Sequence, residues 1–444
     1  MTIEASENQN PQRISLFTAI CIVGANMIGT GVFTSLGFQV GDIQSGFSLL
    51  FLWLVGGIFS LCGALAYGEL GAAMPRSGGE YHYLSKIYHP ALGFLSGWLS
   101  VTVGFAAPIA AAAMALGQYF CSVISEDFPS FAPKAIAVVV VIAVSLVHTK
   151  DLKFGSSFQQ VFTLLKALLI VILIVCGFFL ATPQDISFLP SSADPALIFS
   201  APFAISMVYV TYSYSGWNAS IYLASDIEEP EKNLPRSLLV GTAIVMVLYL
   251  LLNFIFLYST PIDELAGQLE VGYIAANRIF GPVGAKIMGF LISFGLISSI
   301  SSMVLAGPRV TQAIGEDIPV FQGLAKKNAK GIPYTAILFQ LAIVLFFVIT
   351  ATFESVITYL GFTLTLSSVL TVLGVFVHRI RYPEVERPYK TWGYPVTPII
   401  FLAISLWILI FVFQGKPMES LAGLGTIALG LPVYFFAAKK KLVS

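Results

Sequence analysis

Long apolar runs constrain the fold of this chain more than any other feature. A membrane-spanning helix needs about 20 consecutive, mostly apolar residues. The 444-residue sequence predicts twelve such spans, and few of the connections between them are long. The predicted spans are 14–40, 46–70, 85–120, 132–149, 155–181, 199–224, 237–259, 282–312, 333–352, 355–378, 396–414 and 419–437.

The composition excludes other classes of protein. Hydrophobic residues make up 57% of the chain and charged residues 10%, with a formal net charge of zero. Disordered chains are poor in apolar residues, and nucleic-acid binders carry an excess of basic residues. The ~10-residue alternation of a transmembrane β-barrel is absent. We therefore expect an all-α integral membrane protein whose partner is the lipid bilayer, with no role for nucleic acid.

The basic residues predict the orientation of the chain. A cytoplasmic N-terminus places 18 of the 23 Lys and Arg residues in inside loops and tails and four in outside loops. The remaining one, Lys166, falls within the fifth predicted span. By the positive-inside rule, this distribution predicts a cell membrane protein (plasma or inner membrane) with both termini in the cytoplasm, including tails at 1–13 and 438–444.

Two predicted spans are interrupted near their middle. The first contains GTG at 29–31, and the sixth contains SYSGWN at 213–218. Each stretch alone also suits close packing between membrane helices, where glycine and small polar residues are common. Their positions, five spans apart, favour a different interpretation. Interrupted spans at corresponding positions of two halves indicate a transporter binding site.

The same spacing predicts the domain organisation. Residues 14–181 and 199–378 would each hold five spans, and an odd number of spans forces the second repeat into the inverted orientation. Residues 396–437 would add two further spans. Broken helices also suggest a ligand, because free N–H groups at a helix start suit a carboxylate and free carbonyls suit an ammonium group. A zwitterion carries both groups.

The chain resembles the amino acid–polyamine–organocation transporters, most closely the L-type amino acid transporter branch and its bacterial relatives. The resemblance covers roughly 14–437 and implies a LeuT-like fold with a 5+5 inverted repeat and broken helices 1 and 6. It is carried by IGTGVF at 28–33, AYGELGAAMPRSGGEYHYL at 66–84, QQVFTLLKALLI at 159–170, YSGWN at 214–218, EEPEKNLPRS at 228–237, AGPRV at 306–310, YLGFTLTLSSVLTVLG at 359–374 and RPYKTWGYPVTP at 387–398.

The resemblance also implies which residues bind the substrate. Backbone N–H groups of Thr30 and Gly31 would hold the carboxylate, and Tyr212 would form an aromatic gate above the site. The carbonyl groups that would face the ammonium group are those of Met27, Tyr212, Ser213 and Ser215. Polar residues would line the two breaks. The full implied set is Asn26, Met27, Ile28, Thr30, Gly31, Tyr212, Ser213, Ser215, Gly216 and Asn218.

Lys166 is the most unusual single residue. A lysine at mid-span costs about 2.5–3.5 kcal/mol on insertion scales, so it should face a polar interior. It could be a structural lysine bonded to carbonyl groups. The resemblance implies that its amine lies against the broken first helix, where sodium-coupled members of the fold bind sodium, and that it can act in proton coupling. Serines of the eighth span would face it, namely Ser298, Ser299 or Ser302.

These observations predict a sodium-independent secondary transporter of neutral L-amino acids, working by exchange or proton coupling. No acidic residue lies in the middle of spans 1, 3, 6, 8 or 10, which argues against the alternative of a cationic amino acid or polyamine substrate. No motif supports an enzyme, a metal site or a cofactor, and a channel is the weaker alternative. Cys121, at a membrane edge, offers little basis for an obligatory covalent partner.

Two features are predicted on the cytoplasmic side. Ser77 and Glu80 match the spacing of a capping box at a helix start. Glu69 falls near the inner end of the second span, where we expect an ion pair.

Overall fold

The computed structural model describes residues 13–125, 127–150, 153–317 and 319–441, and within these ranges the secondary structure is helical. Of the predicted tails at 1–13 and 438–444, residues 1–12 and 442–444 lie outside the described residues. The helices are α1 (Leu16–Met27), α2 (Gly31–Gln39), α3 (Gly46–Ala73), α4 (Gly79–Ile87), α5 (Pro90–Leu99), α6 (Ala106–Ile124), α7 (Ala132–Lys150), α8 (Lys153–Leu180), α9 (Asp194–Ile198), α10 (Ala201–Tyr214), α11 (Pro230–Ser259), α12 (Ile262–Leu265), α13 (Val271–Asp317), α14 (Tyr334–Thr350), α15 (Phe353–Arg381), α16 (Val396–Gly415) and α17 (Pro417–Lys441).

The helices confirm the predicted class, an all-α membrane protein. In the described ranges, nine helical segments are long and apolar enough to span a membrane. Two shorter apolar stretches are Leu164–Leu180 of α8 and Tyr334–Thr350, which is α14. The count of twelve spans and the two five-helix repeats stay predictions. Helix α17 continues to Lys441, into the predicted C-terminal tail.

Both predicted interruptions are present. The first separates α1 from α2 by the three residues 28–30. The second ends α10 at Tyr214, and a 3-10 segment resumes at Ala219–Asp226. Gly216 makes this turn with φ of +103°, a left-handed conformation that side chains with a Cβ rarely adopt.

The two breaks touch each other. A Cβ atom on Gly31 would lie 2.5 Å from the Cα of Ser213, and one on Gly216 would lie 2.8 Å from the carbonyl of Asn26. These distances are too short for any side chain, so glycine at both positions allows backbone to meet backbone. The breaks therefore form one central region inside the bundle.

Contacts between connections define two faces of the bundle. Asn328 donates to the carbonyl of Thr149 on the face where the chain enters α1, which we call the N-terminal face. Gln184 bonds across to residues at the end of α11 on the opposite face, which we call the far face. The chain runs from the N-terminal face to the far face through α1 and α2.

One buried carboxylate ties helix ends together on each face. On the N-terminal face, Glu69 of α3 accepts two hydrogen bonds from Arg379 of α15, at 2.7 and 2.6 Å, and one from the backbone of Thr391. On the far face, Asp194 accepts from the hydroxyls of Ser45 and Ser48. These hydrogen bonds hold the pKa of Asp194 below its usual range.

The predicted capping box is wrong. Helix α4 begins at Gly79 with Gly78 as its N-cap, and no side chain caps it. Ser77 instead bonds to the hydroxyl of Ser225, and Glu80 accepts from Tyr67 and from Ser367. The Glu80 carboxylate therefore bonds to side chains of α3 and α15, and not to the start of α4 as the local spacing predicted.

The contact between the breaks generates a stability prediction. Gly31→Ala places a methyl group against the backbone of Ser213, and such overpacking costs about 1–3 kcal/mol. We expect the melting temperature of the purified protein in detergent to fall by several degrees. Gly41→Ala is the matched control, because a Cβ there meets no atom within 4 Å. Equal melting temperatures for the Gly31→Ala variant and the parent protein would contradict the close approach.

Candidate functional site

The start of α2 presents free backbone donors to the central region. Among the described residues, no backbone hydrogen bond from the N–H group of Thr30 or Gly31 is found. Thr30 is the N-cap residue of α2, and its side chain does not bond to the N–H groups of the first turn. The first N–H groups of a helix lack partners within the helix, and the helix dipole adds partial positive charge there. This end can therefore bind a carboxylate.

The carbonyls that end α1 are occupied by protein groups. The carbonyl of Met27 accepts the N–H of Gly29 at 2.8 Å and the hydroxyl of Tyr249 at 2.6 Å. The carbonyl of Ile28 accepts from Lys166 at 2.9 Å. A carbonyl oxygen has two lone pairs, so Met27 has little capacity left for a ligand. This placement departs from the expectation that Met27 faces a substrate ammonium group.

The second break offers carbonyls with remaining capacity. The carbonyl of Tyr212 accepts the N–H of Ser215 at 2.9 Å, which leaves one lone pair. The carbonyl of Ser213 lies 3.1 Å from the Tyr249 hydroxyl. Among the described residues, no hydrogen bond is made to the carbonyl of Ser215. The acceptors for a positive group therefore come from the second break rather than from the first.

Tyr249 is a residue that the sequence reading missed. It is fully buried on α11, and its hydroxyl lies between the carbonyls of Met27 and Ser213. One side chain thus satisfies freed backbone on both broken helices. The available signal was a polar hydroxyl in the middle of an apolar span, and the sequence does not say which break it reaches.

The remaining predicted polar residues divide into two groups. Asn26 donates to the carbonyl of Ile22 within its own helix, and Ser213 donates to the carbonyl of Tyr209. Both hydroxyls of Ser35 and Ser213 also bond to each other at 2.9 Å. Ser215, Gly216 and Asn218 are partly exposed at the break, and Asn26 is exposed. Asn26 and Ser213 thus bond within their own helices, and Ser215 and Asn218 are the polar side chains that border the second break.

Tyr212 of α10 contacts the far-face end of the first break. Its hydroxyl bonds to the Thr30 hydroxyl, and its ring meets Phe353 edge-on with centroids 6.5 Å apart. Phe353 stacks on Phe38, and Phe38 stacks on Tyr209. These four rings, Phe38, Tyr209, Tyr212 and Phe353, form what we call the aromatic cluster, which covers the far-face side of the breaks.

Burial differs between the two halves of each broken helix. Eight of the nine residues of α2 are buried, against three of the twelve in α1. In the second pair, nine of the fourteen residues of α10 are buried, against three of the eight in Ala219–Asp226. The site is therefore covered toward the far face and less covered toward the N-terminal face.

Lys166 connects the first break to α13. Its side chain is 4% exposed, and its amine donates to the carbonyl of Ile28 at 2.9 Å and to the Ser299 hydroxyl at 3.0 Å. Within the described ranges, no carboxylate lies within 4.0 Å of this amine. The amine is thus held only by neutral oxygen atoms beside the breaks.

Of the three serines predicted near Lys166, the structure brings one to the amine. Ser299 accepts its hydrogen bond. Ser302 donates to the carbonyl of Ser299, one step removed. Ser298 is buried, and its hydroxyl has no hydrogen-bond partner among the described residues. Ser301 faces away and bonds to His148.

The chain is similar to known transport proteins along most of its length. A family model described as "Amino acid permease" matches residues 14–429. The serine/threonine exchanger SteT of Bacillus subtilis (strain 168) is 28% identical over 445 residues, covering 99% of this chain and all of that protein.

Two human proteins show similar identity. The b(0,+)-type amino acid transporter 1 of Homo sapiens is 26% identical, covering 96% of this chain and 87% of that protein. The large neutral amino acids transporter small subunit 2 of Homo sapiens is 27% identical, covering 96% and 80%. The predicted family, the predicted transport class and the prediction that the chain is not an enzyme are confirmed. The chain belongs to the amino acid permease family, whose members are membrane transporters.

Proposed function

We propose that this protein transports neutral L-amino acids across the cell membrane without sodium, by exchange or proton coupling with alternating access. One observation carries the proposal. Free N–H donors at the start of α2 face a second break with free carbonyls, and a lysine amine bonds to the carbonyl next to those donors. Donors and acceptors in one central region match the two charged ends of a zwitterion.

The proposed binding mode follows from the unpaired backbone groups. The substrate carboxylate binds the N–H groups of Thr30 and Gly31, with the Thr30 hydroxyl nearby. The ammonium group binds the carbonyls of Tyr212 and Ser215. The carbonyls of Met27 and Ser213 bond to the Tyr249 hydroxyl, so these residues hold the backbone of the breaks in position and do not contact the substrate directly.

The pocket chemistry favours a neutral side chain. A cationic substrate side chain in a buried site requires an acidic partner to offset the cost of burying its charge. The described carboxylates of the spans lie at helix ends, such as Glu69 on the N-terminal face and Glu354 on the far face. Two of the relatives are named for serine and threonine or for large neutral amino acids, which supports the same class.

The Lys166 amine supports sodium independence. It occupies the carbonyl of Ile28 and the hydroxyl of Ser299, oxygen atoms of the kind that a sodium ion would use. A bound amine excludes a metal cation from the same oxygens by charge and by volume. An ionisable side chain inside a membrane is also a candidate for proton relay.

The proposed orientation places the N-terminal face in the cytoplasm. The support is the distribution of basic residues, with 18 of 23 in connections and tails on that face. The burial pattern then corresponds to a site closed to the outside and more open to the cytoplasm. We also propose transport without an obligatory covalent partner, because the side chain of Cys121 is buried.

The sodium claim is tested in proteoliposomes. We expect initial uptake of labelled neutral L-amino acids to stay within about twofold when choline replaces sodium, because Lys166 already occupies the oxygens near Ile28. Competition by each of twenty unlabelled amino acids identifies the substrate class in the same assay. A large loss of uptake in choline, or preferential competition by arginine, would contradict the proposal.

The role of Lys166 is tested by Lys166→Ala. Its removal leaves the Ile28 carbonyl and the Ser299 hydroxyl without their charged donor, and a charged hydrogen bond contributes about 1.5–3 kcal/mol. We expect the KM for uptake to rise about tenfold, or the response to an imposed proton gradient to disappear. Lys150→Ala, at the exposed end of α7, is the matched control. Unchanged KM and unchanged gradient response would leave Lys166 with a structural role only.

A further inference from the structure

A polar cavity lies on the far face, outside the aromatic cluster. Its volume is about 400 Å³, and its lining includes Ser122, Asp263, Glu264, Gln268 and Glu270. We propose that this cavity binds the ammonium group of an amino acid before the substrate reaches the broken helices. We call it the acidic vestibule. The inference rests on the proposed function for its direction and for the identity of its ligand.

Glu270 is the observation that points to a ligand. It is 9% exposed, and its Oε1 atom accepts from Gln118 at 3.3 Å and from Ser122 at 3.0 Å. Its Oε2 atom is buried and has no hydrogen-bond partner among the described residues. Buried carboxylate oxygens are almost always hydrogen-bonded or paired, so this atom is prepared for a donor that comes from outside the chain.

The charge of the lining selects a cation. Three carboxylates, Asp263, Glu264 and Glu270, border the cavity. Arg278 neutralises one of them, because it forms an ion pair with Glu264. Within the described residues, Asp263 and Glu270 have no cationic partner within 4.0 Å. Two carboxyl groups of the lining are therefore not paired with a cation of the described chain.

The donor set favours an organic ammonium group over a metal ion. In the part of the chain that the structure describes, no group of three or more His, Cys, Asp or Glu side chains is arranged to hold a metal. A primary ammonium group needs fewer charged ligands, because it donates three directed hydrogen bonds. Carboxylate and hydroxyl oxygens such as those of Glu270 and Ser122 accept them.

The vestibule adjoins the closed outer side of the transport site. One turn from Ser122 on α6, the Tyr119 hydroxyl donates to the carbonyl of Phe33 in α2 and accepts the N–H of Gly272. The segment between α12 and α13 also meets α2, where Gly267 donates to the carbonyl of Gly37 at 2.9 Å. The same elements that line the vestibule therefore cover the outer half of the first broken helix. A ligand bound in the acidic vestibule would therefore lie next to the closed far-face side of the transport site.

The test uses ethanolamine, a primary ammonium with no carboxylate, and the full-length protein in nanodiscs. Saturation-transfer NMR titration measures its dissociation constant at low ionic strength. We expect Glu270→Gln to weaken binding about tenfold, because the substitution removes the charge but keeps the shape. Asp185→Asn removes a carboxylate from an exposed far-face connection and is the matched control with unchanged binding. Should Glu270→Gln fail to fold, Asp263→Asn must weaken binding in the same direction.

Several outcomes would overturn the vestibule. They are no ethanolamine signal, equal binding by the parent protein and Glu270→Gln, or calcium binding that needs Glu270 with no ethanolamine binding. This readout does not require transport. A protein that binds ethanolamine through Glu270 but moves no amino acid would contradict the proposed function and leave the site intact.

Discussion

The absence of water inside a membrane is the constraint on which this structure depends. Each N–H and C=O group freed by a helix break must bond to protein or line a cavity that water or a ligand can enter, because lipid offers no partner. Tyr249 and Lys166 supply partners to the carbonyls of Met27, Ser213 and Ile28. The backbone groups that remain without a partner are the donors of Thr30 and Gly31 and the acceptors of the second break. The proposed function follows from the backbone groups that its own side chains do not satisfy.

The same groups give the site its asymmetry. The far-face half of each broken helix packs inside the bundle, while the halves on the N-terminal face are less covered. The aromatic cluster and the hydroxyl contact between Tyr212 and Thr30 cover the far-face side of the breaks. Opening on that side requires these contacts to separate. A substrate that bonds Thr30 would compete directly with Tyr212 and so couple binding to the gate.

Much of this arrangement could be predicted from sequence, because its main signals are local. Glycine and polar residues at mid-span predicted both breaks, and the cost of a mid-span charge predicted a polar surrounding for Lys166. Long-range partners could not be predicted in the same way. Four serines between 298 and 302 look alike in sequence, and only helix rotation decides that Ser299 faces the amine. The local pattern for Ser77 and Glu80 failed because α3 and α15 supply other partners.

The π-helical turn at Ser100–Gly104, between α5 and α6, could not be predicted from the sequence either. The roles of Tyr249 and Glu270 could not be predicted for a related reason, since each depends on helices distant in sequence.

The most direct test of the central claim is counterflow. Proteoliposomes preloaded with unlabelled neutral L-amino acids should transiently accumulate the labelled substrate above its equilibrium level. No accumulation beyond that of protein-free liposomes, or a steady ionic conductance in its place, would contradict the account.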